Sequence, residues 1–120
     1  MVKIDNTLKN LIERNPIAFS TCYKNKPNVI YVSCVKIISK DTLLITDNYM
    51  SKTKKNLFKN KNIALVVCNS KGNCGYQLKG KANYLIRGKW LTFVKNMREN
   101  KEMPTKAAIL IKVKEIYKLA

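Results

Sequence analysis

Short apolar runs of β type, each closed by a few turn residues, recur along this chain and limit what it can fold into. Ile17 to Tyr23 reads as a strand, and Lys24-Asn25-Lys26-Pro27-Asn28 as the turn after it. Val29 to Ile38 is the next strand, Ser39-Lys40-Asp41 a second turn, and Thr42 to Thr46 a third strand. Strands joined this closely must run antiparallel, since parallel neighbours need a long crossover. Ile63 to Cys68, Tyr76 to Ile86 and Ala107 to Tyr117 supply three more strands. Gly80 interrupts the longest of these, where a bulge or a barrel bend is expected.

Three segments switch to helical periodicity. In residues 5 to 14, Leu8, Leu11 and Ile12 share a face, and Asn15-Pro16 ends the helix. Ser51 to Asn60 has Leu57 and Phe58 as its inward residues. Lys89 to about Asn100 places Trp90, Phe93, Val94 and Met97 on one face, so Trp90 reads as core. The pattern predicts a mainly β fold, a six-stranded antiparallel barrel with short helices packed around it. At 120 residues the chain makes one domain, residues 1–120.

Composition narrows the chemistry. With 46% apolar residues the chain can bury a core, despite a net charge of +17. The charge predicts attraction to an anion: nucleic acid, a membrane surface or a phosphorylated ligand. A compositional bias toward Lys, Asn and Ile explains the lysines equally well, though not the scarcity of acids. The chain has no histidine, which removes the base from Ser-His-Asp and Cys-His mechanisms and excludes His-ligated zinc. Seven carboxylates make a paired acid–base site improbable, and only Asp47 lies in a densely patterned segment. An enzyme so poor in chemistry of its own would borrow it from a cofactor.

Cys22, Cys34, Cys68 and Cys74 show no C-x₂-C spacing, and the first three fall in β-like apolar runs. They read as structural thiols in a reducing compartment. The first residues lack a signal-peptide apolar core, and no apolar run reaches the roughly 20 residues that span a bilayer. A soluble, cytoplasmic protein without membrane association is expected.

The stretch from Thr46 to Leu57 carries the most information. Ser51 is placed to cap the helix that follows, leaving unpaired N–H groups and the positive end of the helix dipole. Helices usually place acids in that first turn; here it carries Lys52, Lys54 and Lys55. Each such lysine opposes the dipole by roughly 0.3–1 kcal/mol unless an anion answers it. Two hydroxyls, backbone N–H groups and an ammonium at one point suit a phosphate. Locally, lysines fanning into salt-screened water explain the same residues more simply.

The order strand, turn, strand, T-D-N-Y-M-S-K-T-x-x-N-L, strand, G-Y-Q-L-K-G resembles the pyridoxamine 5′-phosphate oxidase-like family of FMN-binding split barrels. The small bacterial FMN-binding proteins are the nearest match, and the resemblance runs from Asn15-Pro16-Ile17-Ala18 to Ala107-Ala108-Ile109-Leu110-Ile111. It implies FMN as cofactor, with Ser51, Lys52 and Thr53 as the phosphate-binding turn. By the same resemblance, Thr46 and Asp47 form the strand end lining the FMN chain and ring. Val32, Ser33 and Cys34 form the segment whose backbone runs along the isoalloxazine, and Gln77 matches a family glutamine near the cofactor. A homodimer with FMN between subunits is implied too.

Two departures limit that resemblance. The Arg- and His-containing substrate motif of true pyridoxamine phosphate oxidases is missing from the closing segment, and Ile30 stands near the place of a basic residue. Oxidation of vitamin B6 is therefore not expected; an oxidoreductase or electron-transfer role on an unknown substrate is. The competing reading is a basic nucleic-acid-binding barrel, but no aromatic residue joins Lys79 and Lys81 to form a stacking platform. The same fold with a deazaflavin or haem is a further alternative, haem being weakest without histidine. Of the other aromatic residues, Tyr49, beside the phosphate turn, is best placed for ligand contact.

Overall fold

The computed structural model describes residues 2–119. Helix α1 (Asn6–Arg14) starts at Asp5, whose Oδ1 accepts from the Leu8 N–H at 2.9 Å. It ends at Asn15, whose side chain donates to the Leu11 carbonyl ahead of Pro16. Strands β1 (Ile17–Tyr23), β2 (Lys26–Val32), β3 (Val35–Ser39) and β4 (Thr42–Asp47) follow. Helix α2 (Lys52–Lys59) then leads into β5 (Asn62–Cys68) and β6 (Gly75–Leu85). Helix α3 (Lys89–Lys95) and a 3₁₀ turn (Arg98–Asn100) precede β7 (Ala107–Lys118).

The sheet has seven strands, not the expected six, all antiparallel, in the order β2-β1-β5-β6-β7-β4-β3. The extra strand comes from the run Val29 to Ile38, which breaks at Ser33-Cys34 into β2 and β3. No glycine or proline marks that break; its cause is topological. β2 and β3 are the two outer strands of the sheet, yet only Ser33 and Cys34 separate them. From Val32 to Val35 the chain spans at most roughly 10 Å. The sheet must therefore curl until its edges meet, giving the split-barrel form.

The first turn also differs from expectation. Lys24 and Asn25 alone close it, both at positive φ, as a two-residue hairpin turn requires. Lys26, Pro27 and Asn28 thus belong to β2, with Pro27 opposite Cys22. Proline is tolerated there because β2 is an edge strand.

Alternation fills the barrel. Ile17, Phe19, Leu43, Ile45, Leu65, Val67, Leu78, Ile109 and Ile111 are buried in one cluster, which Leu8 and Ile12 of α1 and Leu57 of α2 extend. Phe58 is exposed rather than inward, because α2 buries Thr53 and Leu57, four residues apart on its other side. On the outside, α3 covers Leu44 and Ala108 with Val94, and Trp90 and Met97 pack against them; Phe93 remains exposed, edge-on to Trp90. β4 is consequently buried on both faces. At Gly80 the β6–β7 register shifts as anticipated, and a Cβ there would lie 2.2 Å from the Lys112 carbonyl oxygen.

Candidate cofactor site

The break between β2 and β3 and the turn between β4 and α2 enclose a cavity of about 510 Å³. Its wall is Ile30 to Cys34 on one side, Thr46 and Asn48 to Thr53 on the other, with Asn28 and Met103 at the ends. Of the nine residues expected at the site, Val32, Ser33, Cys34, Thr46, Ser51, Lys52 and Thr53 line it. Tyr49 does so as well. Among the described residues, Lys52 is the one charged residue in this lining. The cavity thus has a neutral body and a positive end at the start of α2, where the helix dipole adds to the ammonium.

Ser51 occupies the N-cap position of α2, but its side chain makes no capping hydrogen bond. Thr53, buried, accepts at Oγ1 from the Asn28 Nδ2 at 3.1 Å, which leaves its own O–H to donate. Ser51, Lys52 and Thr53, consecutive in sequence, therefore bring two hydroxyl residues and a lysine to one end of the cavity.

The other two expected residues lie elsewhere. Asp47 is fully buried beneath the turn rather than on the cavity wall. Its Oδ1 accepts from the Met50 N–H at 2.7 Å, and its Oδ2 from the Tyr84 hydroxyl. Lys106 stands 3.7 Å from Oδ1 and donates from Nζ to the Met50 carbonyl at 2.6 Å. Burial raises the Tyr84 phenol above its ordinary pKa, and the bond to Asp47 and that carboxylate's charge raise it further. Gln77 sits near the start of β6, opposite Val66 and Tyr117, outside this cavity.

One hub has no sequence signal. Asn100, buried in the 3₁₀ turn, donates from Nδ2 to the Val94 carbonyl at 2.8 Å and to Thr46 Oγ1 at 3.0 Å. Its Oδ1 accepts from Asn48, and Asn48 accepts from the Thr105 hydroxyl at 2.6 Å. Thr46 in turn donates from its N–H to the Cys34 carbonyl at 3.3 Å. This network holds the cavity floor, tying residues distant in sequence through an asparagine that composition does not distinguish from the others. Asn28 was hidden in the same way, inside a segment read as a turn.

The pyridoxamine 5′-phosphate oxidase family model matches residues 4–120. The chain belongs to that family of FMN-binding split barrels. An uncharacterized protein of Methanocaldococcus jannaschii is 32% identical over 124 residues, spanning 99% of this chain and 83% of its own length. Among solved structures, HupZ of Group A Streptococcus superposes with a TM-score of 0.89 at 21% identity, covering 97% of this chain and 94% of that one. An FMN-binding protein of Syntrophomonas wolfei gives 0.76 at 20% identity, covering 93% and 83%. At such identities the superpositions speak to the split-barrel fold. FMN is a common ligand of this family. No helix among the described residues is long and apolar enough to cross a membrane.

Proposed function

We propose that this chain is an FMN-binding oxidoreductase or electron-transfer protein whose substrate is not pyridoxamine phosphate. The observation carrying this reading is the end of the cavity where Ser51, Lys52 and Thr53 stand together at the start of α2, with no other charged wall residue among the described residues. In this proposal the Lys52 ammonium pairs with the phosphate, the two hydroxyls donate to it, and Asn28 fixes Thr53. Val32 to Cys34 and Thr46 flank the ring system. FMN supplies the redox chemistry when bound. The chain's part is to bind and orient the cofactor and to exclude water from it. A histidine-free chain can fill that role, since no side chain has to shuttle a proton.

The proposal includes a homodimer. Val29 and Tyr31 alternate on the outer face of edge strand β2, and Tyr31 and Tyr49 both border the cavity, all three exposed. A second copy seated on this strip covers the cavity mouth and offers residues such as Gln77 that lie outside it on a single chain.

The test is a titration of flavin-stripped protein with FMN and riboflavin, for the natural chain and for Lys52→Ala with Thr53→Ala. The double variant loses FMN affinity by about 100-fold or more and riboflavin affinity little, as expected when charge-assisted phosphate contacts disappear. Equal losses for both ligands remove the turn from the phosphate role. A protein that stays colourless after FMN addition overturns the flavin reading itself.

A further inference from the structure

A second cavity, of about 670 Å³, adjoins the first and shares Asn28 and Lys52 with it. It lies between the β1–β2 turn and one face of α2, and Lys24, Lys26, Lys52, Lys55 and Lys59 line it with no acidic residue among the described residues. Lys52, Lys55 and Lys59 recur at helical spacing, so one side of α2 presents three ammonium groups. Lys24 and Lys26 come from the hairpin opposite. Among the described residues none of these five pairs with a carboxylate; Glu13, Asp47 and Asp41 pair instead with Lys36, Lys106 and Lys112. Like charges gathered without a counter-ion repel, and an anion placed among them reverses that term.

Charge is not the only feature. Tyr23 and Phe58 also line this cavity; Phe58 is 60% exposed, with its ring edge-on to Tyr84 at 5.4 Å, and the Lys24 ammonium lies 5.4 Å from the centre of the Tyr23 ring. Rings and ammonium groups together suit a ligand that is both anionic and aromatic. The walls are firmly held: the Asn56 side chain donates to Thr21 Oγ1 and the Asn60 side chain to the Cys22 carbonyl, each at 3.0 Å, pinning α2 to β1.

The shared residue shows how the two cavities relate. Lys52 belongs to the phosphate rim of the first and to the lysine face of the second. Resting on the flavin reading above, we propose that the second cavity takes an adenylate joined to the flavin's phosphate. The protein then binds the dinucleotide form, FAD, in preference to the mononucleotide. Lys55 and Lys59 meet the added phosphate, and the adenine ring lies against Phe58 or Tyr23.

The experiment titrates flavin-stripped full chain with FMN and with FAD, at low and high salt. It is repeated on Lys55→Ala with Lys59→Ala and on Phe58→Ala. All three positions are exposed, so folding is expected to survive and is checked by thermal melting. FAD is expected to bind about ten-fold more tightly than FMN, as one further charge-assisted phosphate contact gives. The lysine double variant and Phe58→Ala each remove that preference, while FMN affinity stays within about two-fold. FMN binding with no gain for FAD overturns this proposal and leaves the mononucleotide reading standing. So does a lysine variant that weakens both flavins alike. Failure of both flavins to bind overturns the flavin reading together with it. Binding of a thymidine oligonucleotide that depends on Lys55 and Lys59, without any FAD preference, assigns this face to nucleic acid instead and overturns the proposal.

Discussion

Asp47 sits under the turn ahead of α2 and holds its shape by accepting from the Met50 N–H and the Tyr84 hydroxyl. Asp47→Ala leaves both donors, each half-buried, without their acceptor, and a fully buried unsatisfied group would cost about 1–3 kcal/mol, the upper bound for each. The expected outcome is a clear fall in melting temperature. FMN affinity falls too, although Asp47 does not touch the cavity; unchanged affinity in a folded variant would show that the turn keeps its shape without this carboxylate. Tyr84 makes the same contact sensitive to alkali. Its folded pKa is raised above the ordinary value of 10.0, so the folded state keeps its proton where the unfolded chain has lost it. The stabilisation is full below pH 10 and is lost as the pH climbs through and beyond that value. Melting temperatures measured upward from pH 9 should fall less steeply for Tyr84→Phe than for the natural chain.

Among the elements, β6 and β7 make the longest pairing, and Gly80 sits at its irregularity. β7 carries one extra residue there, Lys114, between the partners of Lys79 and Gly80. Gly80→Ala drives a Cβ to 2.2 Å from the Lys112 carbonyl oxygen, a backbone atom that no side-chain rotation relieves. The strands must part locally, with an expected loss of roughly 1–3 kcal/mol, read as a lower denaturant midpoint at unchanged slope. That position was legible from sequence because a lone glycine in a strand has few reasons to be there. The start of α2 was legible too, as lysines where acids belong. Alternation placed most strands to within a residue or two, since burial on one face imposes a period of two. What stayed hidden depends on partners far along the chain. The break at Ser33-Cys34 follows from closing the sheet, and Asp47 and Asn100 owe their positions to Tyr84 and Thr46. Nor does local sequence show that Phe58 is exposed, because a neighbouring Leu57 satisfies the same apolar pattern.

At the scale of the whole molecule, charge and apolar exposure pull in opposite directions. A chain of net charge +17 repels its own copies, yet the outer face of β2 leaves Val29 65% and Tyr31 83% exposed, with Tyr49 at 71% beside them. An edge strand with that composition invites a partner. In the proposed homodimer the apolar strip supplies the attraction and the lysines oppose it, so dimerisation should strengthen as salt screens the charges. Replacing Val29 and Tyr31 by lysine removes the attraction and adds to the repulsion. Sedimentation equilibrium should then give twice the 13.8 kDa chain mass for the natural protein and the single-chain mass for the variant, which added salt does not return to the dimer. Because both side chains are solvent-exposed in the single chain, its folding should survive the change. FMN affinity should drop with the dimer, since Tyr31 borders the cavity and the second copy closes it. A natural chain that is monomeric and binds FMN no differently from the variant would separate the flavin site from the dimer and remove the second copy from it.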